Sequence, residues 1–339
     1  MRKMRRGTAL HLFFALVLSS CTLVRSLDGL SDRYGTSVDV APDADADLPV
    51  VPGDGSAGDG DARPTCDPAS NFGAPTLLRS ISTPHDEGSA RLTEDERTVF
   101  FDAHRGPGGG APADSDSWDI FTATRADDGD TFGPASRVEG PNTTAFHEFS
   151  PALSNDERKL FFERQSGANS DIMFVAREGR GKPWGAAQVA PGIATTLYEA
   201  NPFVRTDDTQ IWFVTNGRNG GTDIFLARLT PGGYAPEPVP ELNTDDQEFT
   251  PVISKDGLTM YFSSERPLSR FQRLNVWVAS RLSTSLPFSR AAPVDTVNTD
   301  ADDNPTWISA DGCRLYMSST RDGVGGQDIY IAKRSPVPL

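Results

Sequence analysis

Acids recur at one fixed place in this chain. Glu148, Glu199, Glu248 and Asp302 each stand three residues before a proline, and Glu87 holds the matching place before Ala90. Five carboxylates gathered in one vestibule would repel one another. That raises some of their pKa values, or recruits a cation such as calcium or a basic ligand group. Each acid could instead accept backbone N–H bonds from its own loop, repeated because the unit is repeated. A third chemistry is glycoside hydrolysis, which needs two carboxylates at a defined separation. Hydrolases give each acid a different environment, whereas these five hold equivalent places, so no catalytic residue is assigned.

Other chemistry finds less support. His85 and His147 neighbour two of the acids and His104 stands apart, without the paired spacing of a zinc site. There is no Gly-x-Ser-x-Gly elbow. The run Gly106-Pro107-Gly108-Gly109-Gly110 has no strand–loop–helix context and no following Lys-Ser/Thr, so it reads as an inserted loop and not a phosphate cradle.

What must position the acids is a repeat. Asp119-Ile120-Phe121, Asp171-Ile172-Met173, Asp223-Ile224-Phe225, Asn275-Val276-Trp277 and Asp328-Ile329-Tyr330 recur at spacings of 52, 52, 52 and 53 residues. A period this long and regular means stacked or radial β units. Each unit also carries a Pro-led run such as Pro251-Val252-Ile253, a tight turn, and an apolar run such as Met260-Tyr261-Phe262. An aromatic-led segment such as Phe132-Gly133-Pro134 precedes the next unit. The apolar runs are consecutive, not alternating, which fits sheets packed on both faces. The expectation is an all-β, five-bladed β-propeller of four-stranded blades over residues 72–334, with 335–339 as a tail. The first aromatic-led strand, near 72–78, has no blade of its own and the last blade lacks its fourth strand. Pairing the two closes the ring and protects its edges.

Residues 1–20 start with Arg2, Lys3, Arg5 and Arg6 and continue into a short apolar stretch, the pattern of a signal peptide. Removing them takes the net charge from −15 to near −19, which disfavours nucleic acid as a partner. Residues 21–71 are rich in Asp, Ala, Gly and Pro and read as a flexible acidic tether. Cys66 and Cys313 fit one disulfide in an exported chain, and two unpaired thiols are the alternative. A bridge between them would staple the ring, contributing about 4–5 kcal/mol by loop entropy.

Two resemblances follow from these residues. Leu18-Ser19-Ser20-Cys21 resembles the lipobox of bacterial lipoproteins, which implies lipidation of Cys21 and a membrane attachment through that anchor. Thr22, where an Asp would retain the protein at the inner membrane, then favours the outer membrane. The segments Glu248-Phe249-Thr250-Pro251, Ser254-Lys255-Asp256-Gly257 and Tyr261-Phe262-Ser263-Ser264 resemble the PD40, or WD40-like, β-propeller repeat of TolB-type envelope proteins. The fifth unit matches best, through Asp311-Gly312 and Gly326-Gln327-Asp328-Ile329-Tyr330. The resemblance implies a propeller. The expectation for such a module is that it binds an envelope protein or a glycan, as a monomer and without a cofactor. The long loops at 104–117 and 265–274 are the expected contact surfaces, with Arg266, Phe271 and Arg273 as candidates. A glycan-active hydrolase using axial carboxylates is the alternative.

Overall fold

The computed structural model describes residues 66–104, 117–127, 129, 131–204, 208–216, 221–268 and 273–336. Cys21 and Phe271 lie outside the described residues, as does most of the 104–117 loop. The described chain is all-β, and among the described residues no helix is long and apolar enough to cross a membrane.

Twenty strands form five four-stranded antiparallel sheets. The chain enters through β1 (Thr76–Leu77). Blade 1 comprises β2 (Asp86–Leu92), β3 (Thr98–His104), β4 (Trp118–Thr124) and β5 (Ser136–Arg137). Blade 2 comprises β6 (His147–Leu153), β7 (Lys159–Ser166), β8 (Asn169–Ala176) and β9 (Gln188–Val189). Blade 3 comprises β10 (Glu199–Val204), β11 (Gln210–Asn216), β12 (Thr222–Thr230) and β13 (Gly233–Pro238). Blade 4 comprises β14 (Glu248–Ile253), β15 (Thr259–Ser264), β16 (Asn275–Ser280) and β17 (Ala292–Pro293). Blade 5 comprises β18 (Asp303–Ile308), β19 (Arg314–Ser319) and β20 (Asp328–Lys333), completed by β1. The first strands of successive blades pack on one another in turn, and β18 packs back on β2, so the ring is closed.

The expected closure is present in detail. Thr76 pairs with Ile331 and Leu77 with Tyr330, and isolated bridges join Phe72 to Arg334 and Cys66 to Pro336. Cys66 and Cys313, 247 residues apart, form the disulfide. One repeated device links the third strand of a blade to its fourth. The guanidinium carbon of Arg125 sits 4.6 Å from the ring centre of Phe132, Arg177 4.1 Å from Trp184, Arg281 4.4 Å from Phe288, and Arg334 4.4 Å from Phe72. Such stacks are worth about 0.5–2 kcal/mol each. The fourth strands of blades 1, 2, 4 and 5 are two residues long, which leaves little edge to template aggregation.

The second strands form the core. Val99, Phe100 and Phe101 of β3, and Ile211, Trp212, Phe213 and Val214 of β11, are all buried although successive side chains point to opposite faces. Each blade is covered by a neighbour on both sides, and consecutive apolar residues follow from that.

Candidate functional site

The recurrent acids are structural. The backbone N–H of Thr83 donates to Glu87 at 2.9 Å, Thr143 to Glu148 at 3.0 Å, Thr195 to Glu199 at 3.1 Å and Thr244 to Glu248 at 3.1 Å. All four acids are buried, and the hydroxyl of the same threonine donates to each. In blade 2 Arg164 pairs with Glu148 at 3.0 Å, and in blade 4 Arg266 pairs with Glu248 at 2.9 Å. Each acid thus clamps its own loop to its own blade. Among the described residues no group of three or more His, Cys, Asp or Glu side chains is placed to hold a metal ion.

Two assignments from the sequence need correction. Asp302 is not the fifth member of the set. Asp303 takes that place: it accepts the Thr299 N–H at 2.7 Å and pairs with Arg321, as Glu248 does with Thr244 and Arg266. Asp302 instead lies at the surface, 3.4 Å from Arg273. The cause is the proline. Asp303 pairs with Ser319 as Glu248 pairs with Ser264, so Pro305 holds the register place of Thr250, one residue earlier than Pro251. Arg266 is likewise not free for a partner. Besides Glu248 it donates to the Leu242 carbonyl at 2.7 Å and lies 5.0 Å from the ring centres of both Phe262 and Trp277.

The axis carries a different set of acids. In every blade the first strand bulges against the second. In four of them a bulge residue has positive φ: Ser89 (47°), Ser150 (50°), Asn201 (50°) and Thr250 (48°). Non-glycine residues rarely adopt this conformation, and bulges of this kind re-aim side chains beside functional sites. Here the bulges link the blades. The Ser89 and Ser150 hydroxyls are 3.4 Å apart, Asn201 Nδ2 donates to Ser150 Oγ at 3.0 Å, and the Thr250 N–H donates to Asn201 Oδ1 at 3.4 Å. Pro305, with no N–H and fixed negative φ, has no part in this chain.

Beside these bulges stand Asp102 and Glu163, at equivalent places on β3 and β7. Blades 3, 4 and 5 have Val214, Ser263 and Ser318 there. The symmetry of the repeat is therefore broken on one side of the axis. Asp102 accepts the Ser150 N–H at 2.7 Å. Glu163 accepts the Asn201 N–H at 3.3 Å, the Ser170 hydroxyl at 2.8 Å and the Tyr198 hydroxyl at 3.3 Å. Each acid so reaches the bulge of the next blade. Burial pushes Asp102 up to about 6, against the Ser150 N–H, the Ser89 hydroxyl and the charge of Arg91. Burial pushes Glu163 up to about 7, against its hydrogen-bond donors, with the Asp102 charge adding to the rise. Arg91 is buried on β2, 4.9 Å from the Phe203 ring centre, and its Nε and Nη1 have no hydrogen-bond partner. Burial brings it down to about 9, against the pull of Asp102, so it stays charged at neutral pH.

A cup of about 270 Å³ opens over the two acids. Ser89, Ser150, Gln165, Asn201 and Gln327 supply neutral hydrogen-bonding groups, and Trp118, Phe149 and Tyr198 supply rings. Trp118 and Phe149 lie 5.2 Å apart with planes tilted by 42°, and His104 stacks on Trp118 at 5.6 Å. His147 Nδ1 accepts the backbone N–H of Trp118 at 3.2 Å. A larger groove of about 660 Å³ runs along blades 4 and 5 by the entering chain, but its two cations are committed, Lys255 to Glu94 at 3.3 Å. Arg334 donates to the Tyr261 hydroxyl at 3.1 Å and stacks on Phe72. The axial cup is where the acids depart from the repeat. Its signal in the sequence was an acid closing the apolar run in two units of five, Phe101-Asp102 and Phe162-Glu163.

The chain matches no family model and no curated protein. Solved structures of similar fold include TolB from Acinetobacter baumannii, 12% identical over 76% of this chain and 56% of that one, with a TM-score of 0.44. A putative TolB from Agrobacterium tumefaciens is 12% identical over 78% of this chain and 97% of that one, with a TM-score of 0.39. The catalytic domain of the GH62 alpha-L-arabinofuranosidase of Coprinopsis cinerea is 10% identical over 79% of this chain and 98% of that one, with a TM-score of 0.49. This chain thus spans little more than half the length of the Acinetobacter protein. These likenesses concern the propeller fold alone.

Proposed function

We propose that this protein is an envelope lipoprotein, anchored through Cys21 and favouring the outer membrane, whose propeller binds a glycan end group in the axial cup without transforming it. The observation that carries this reading is the break in symmetry at the axis. Five repeated blades need no acids there, yet blades 1 and 2 carry Asp102 and Glu163, roofed by Trp118 and Phe149. Carboxylates and amides match the hydroxyls of a sugar, and aromatic faces match its apolar side. The volume of about 270 Å³ lies at the small end of ligand pockets, which suits one sugar residue rather than a chain.

Two measurements test the reading. Cys21→Ser should move the protein from the membrane fraction to the soluble one. Immobilised glycans should retain the wild-type protein, and Trp118→Ala should weaken retention at least tenfold; equal retention removes the cup from the function.

A second reading is glycoside hydrolysis, favoured by the same two singular acids. A raised Glu163 could donate a proton to the leaving oxygen while Asp102 activates water. Both acids, however, are buried and held by backbone N–H groups of the next blade. Release of reducing ends from incubated polysaccharides would decide for the enzyme.

A further inference from the structure

We propose that the sugar residue seated in the axial cup carries a free protonated amine, as an N-deacetylated amino sugar does, and that its ammonium group lies between Asp102 and Glu163. This rests on the glycan-binding reading and narrows its ligand class.

The argument is a count of charge. Among the described residues the axial level holds two acids and one base. Arg91, on the strand that pairs with β3, answers Asp102. Glu163 has no such cation among the described residues. Its donors are the Ser170 and Tyr198 hydroxyls and the Asn201 N–H, all neutral. His104 stacks on Trp118. A buried carboxylate with neutral donors alone keeps its proton to higher pH, and Glu163 is pushed up to about 7. Among the described residues one cation is missing from the cup, and we take the ligand to supply it.

The type of cation follows from the walls. Calcium takes six to eight oxygen ligands, and the cup presents two carboxyls that already accept several hydrogen bonds. An ammonium group needs only a few acceptors and gains from an aromatic face, which Trp118 and Phe149 provide. The flexible ammonium arm of a lysine side chain would leave Gln165 and Gln327 unmatched. A sugar ring that bears both hydroxyls and an amine uses both.

Binding must then expel the Glu163 proton. The test is calorimetry on the full mature chain in detergent, with fully deacetylated chitotriose, fully N-acetylated chitotriose and trilysine as probes. At pH 6.5 the deacetylated sugar should bind at least tenfold tighter than the other two. Its heat should differ between buffers of different ionisation enthalpy, reporting release of more than half a proton. Its affinity should fall about tenfold between pH 6.5 and 5.5, as the ionised fraction of Glu163 falls. Glu163→Gln should abolish proton release and bring the two sugars within about twofold. Equal binding of the two sugars by the wild type, or binding without proton release, overturns the ammonium assignment and leaves the glycan reading standing. Tightest binding of trilysine overturns both in favour of a peptide amine. No binding of any probe removes the glycan reading itself. Should Glu163→Gln fail to fold, proton release by the wild type still decides.

Discussion

Asp102 of blade 1 accepts the backbone N–H of Ser150 in blade 2 at 2.7 Å. Glu163 of blade 2 reaches Asn201 of blade 3 in the same way at 3.3 Å. Two side chains thus fasten three blades at their axis, and the same carboxyls floor the cup. The bonds between blades and the chemistry of the site depend on one pair of protons.

That pair sets a pH dependence of stability. Both acids have folded pKa values raised above their unfolded ones, so between about pH 4 and 7 the folded state binds more protons. Stability from these groups is present at the acid end of that window and is lost as pH rises through about 6 and then 7. The full shift corresponds to about 3 kcal/mol for each group. Urea denaturation of the wild type should show stability declining from pH 5 to 8. The Asp102→Asn/Glu163→Gln variant should show a nearly flat profile over that range; a parallel decline would remove these acids as the cause.

The exchange of Asp302 for Asp303 makes a sharp contrast. Asp303→Ala leaves the Arg321 guanidinium and the Thr299 N–H without their partner, and should cost about 3–5 kcal/mol. Asp302→Ala loses a surface pair with Arg273 and the bond from the Leu274 N–H at 3.3 Å, and should cost about 1 kcal/mol or less. Chemical denaturation of the two variants side by side checks the assignment, which fails if their order is reversed.

The disulfide fastens the entering chain to the last blade. Reduction, or Cys313→Ser, should lower stability by about 2–5 kcal/mol. Melting the wild type with and without reductant measures it. An unchanged transition would mean that the β1 pairing and the Phe72–Arg334 bridge close the ring unaided.

The Arg334–Phe72 stack joins opposite ends of the propeller and should couple them energetically. A double-mutant cycle with Arg334→Ala and Phe72→Leu should give an interaction energy of about 0.5–1.5 kcal/mol. Strict additivity of the two losses would show that the stack is geometry without energy. Comparison with Arg177 and Trp184, the same stack within blade 2, tells whether closure adds anything.

Much of the fold was legible in the residues alone. The period of Asp-Ile-aromatic segments fixed the number of blades, and unmatched strands at the two ends fixed where the ring closes. The Cys66–Cys313 pairing followed from the same topology. These features are legible because a repeat writes its local rules five times. The carboxylates before each proline were equally visible, but their role was not. A Thr four or five residues upstream that ties down each acid is a contact across a loop, and spacing from a proline does not reveal it.

What only the tertiary structure decided concerns departures from the repeat. Pro305 stands one place early, and only the pairing of β18 with β19 shows that the acid it follows is Asp303 and not Asp302. Asp102 and Glu163 look like polar ends of apolar strands until the ring brings β3 and β7 to one side of the axis. Local sequence dictates strand, turn and period, because those depend on a residue and its near neighbours. Which side chains share buried space across the axis depends on the closure of all five blades. That closure took the carboxyls out of water, raised their pKa values and set them beneath Trp118 and Phe149.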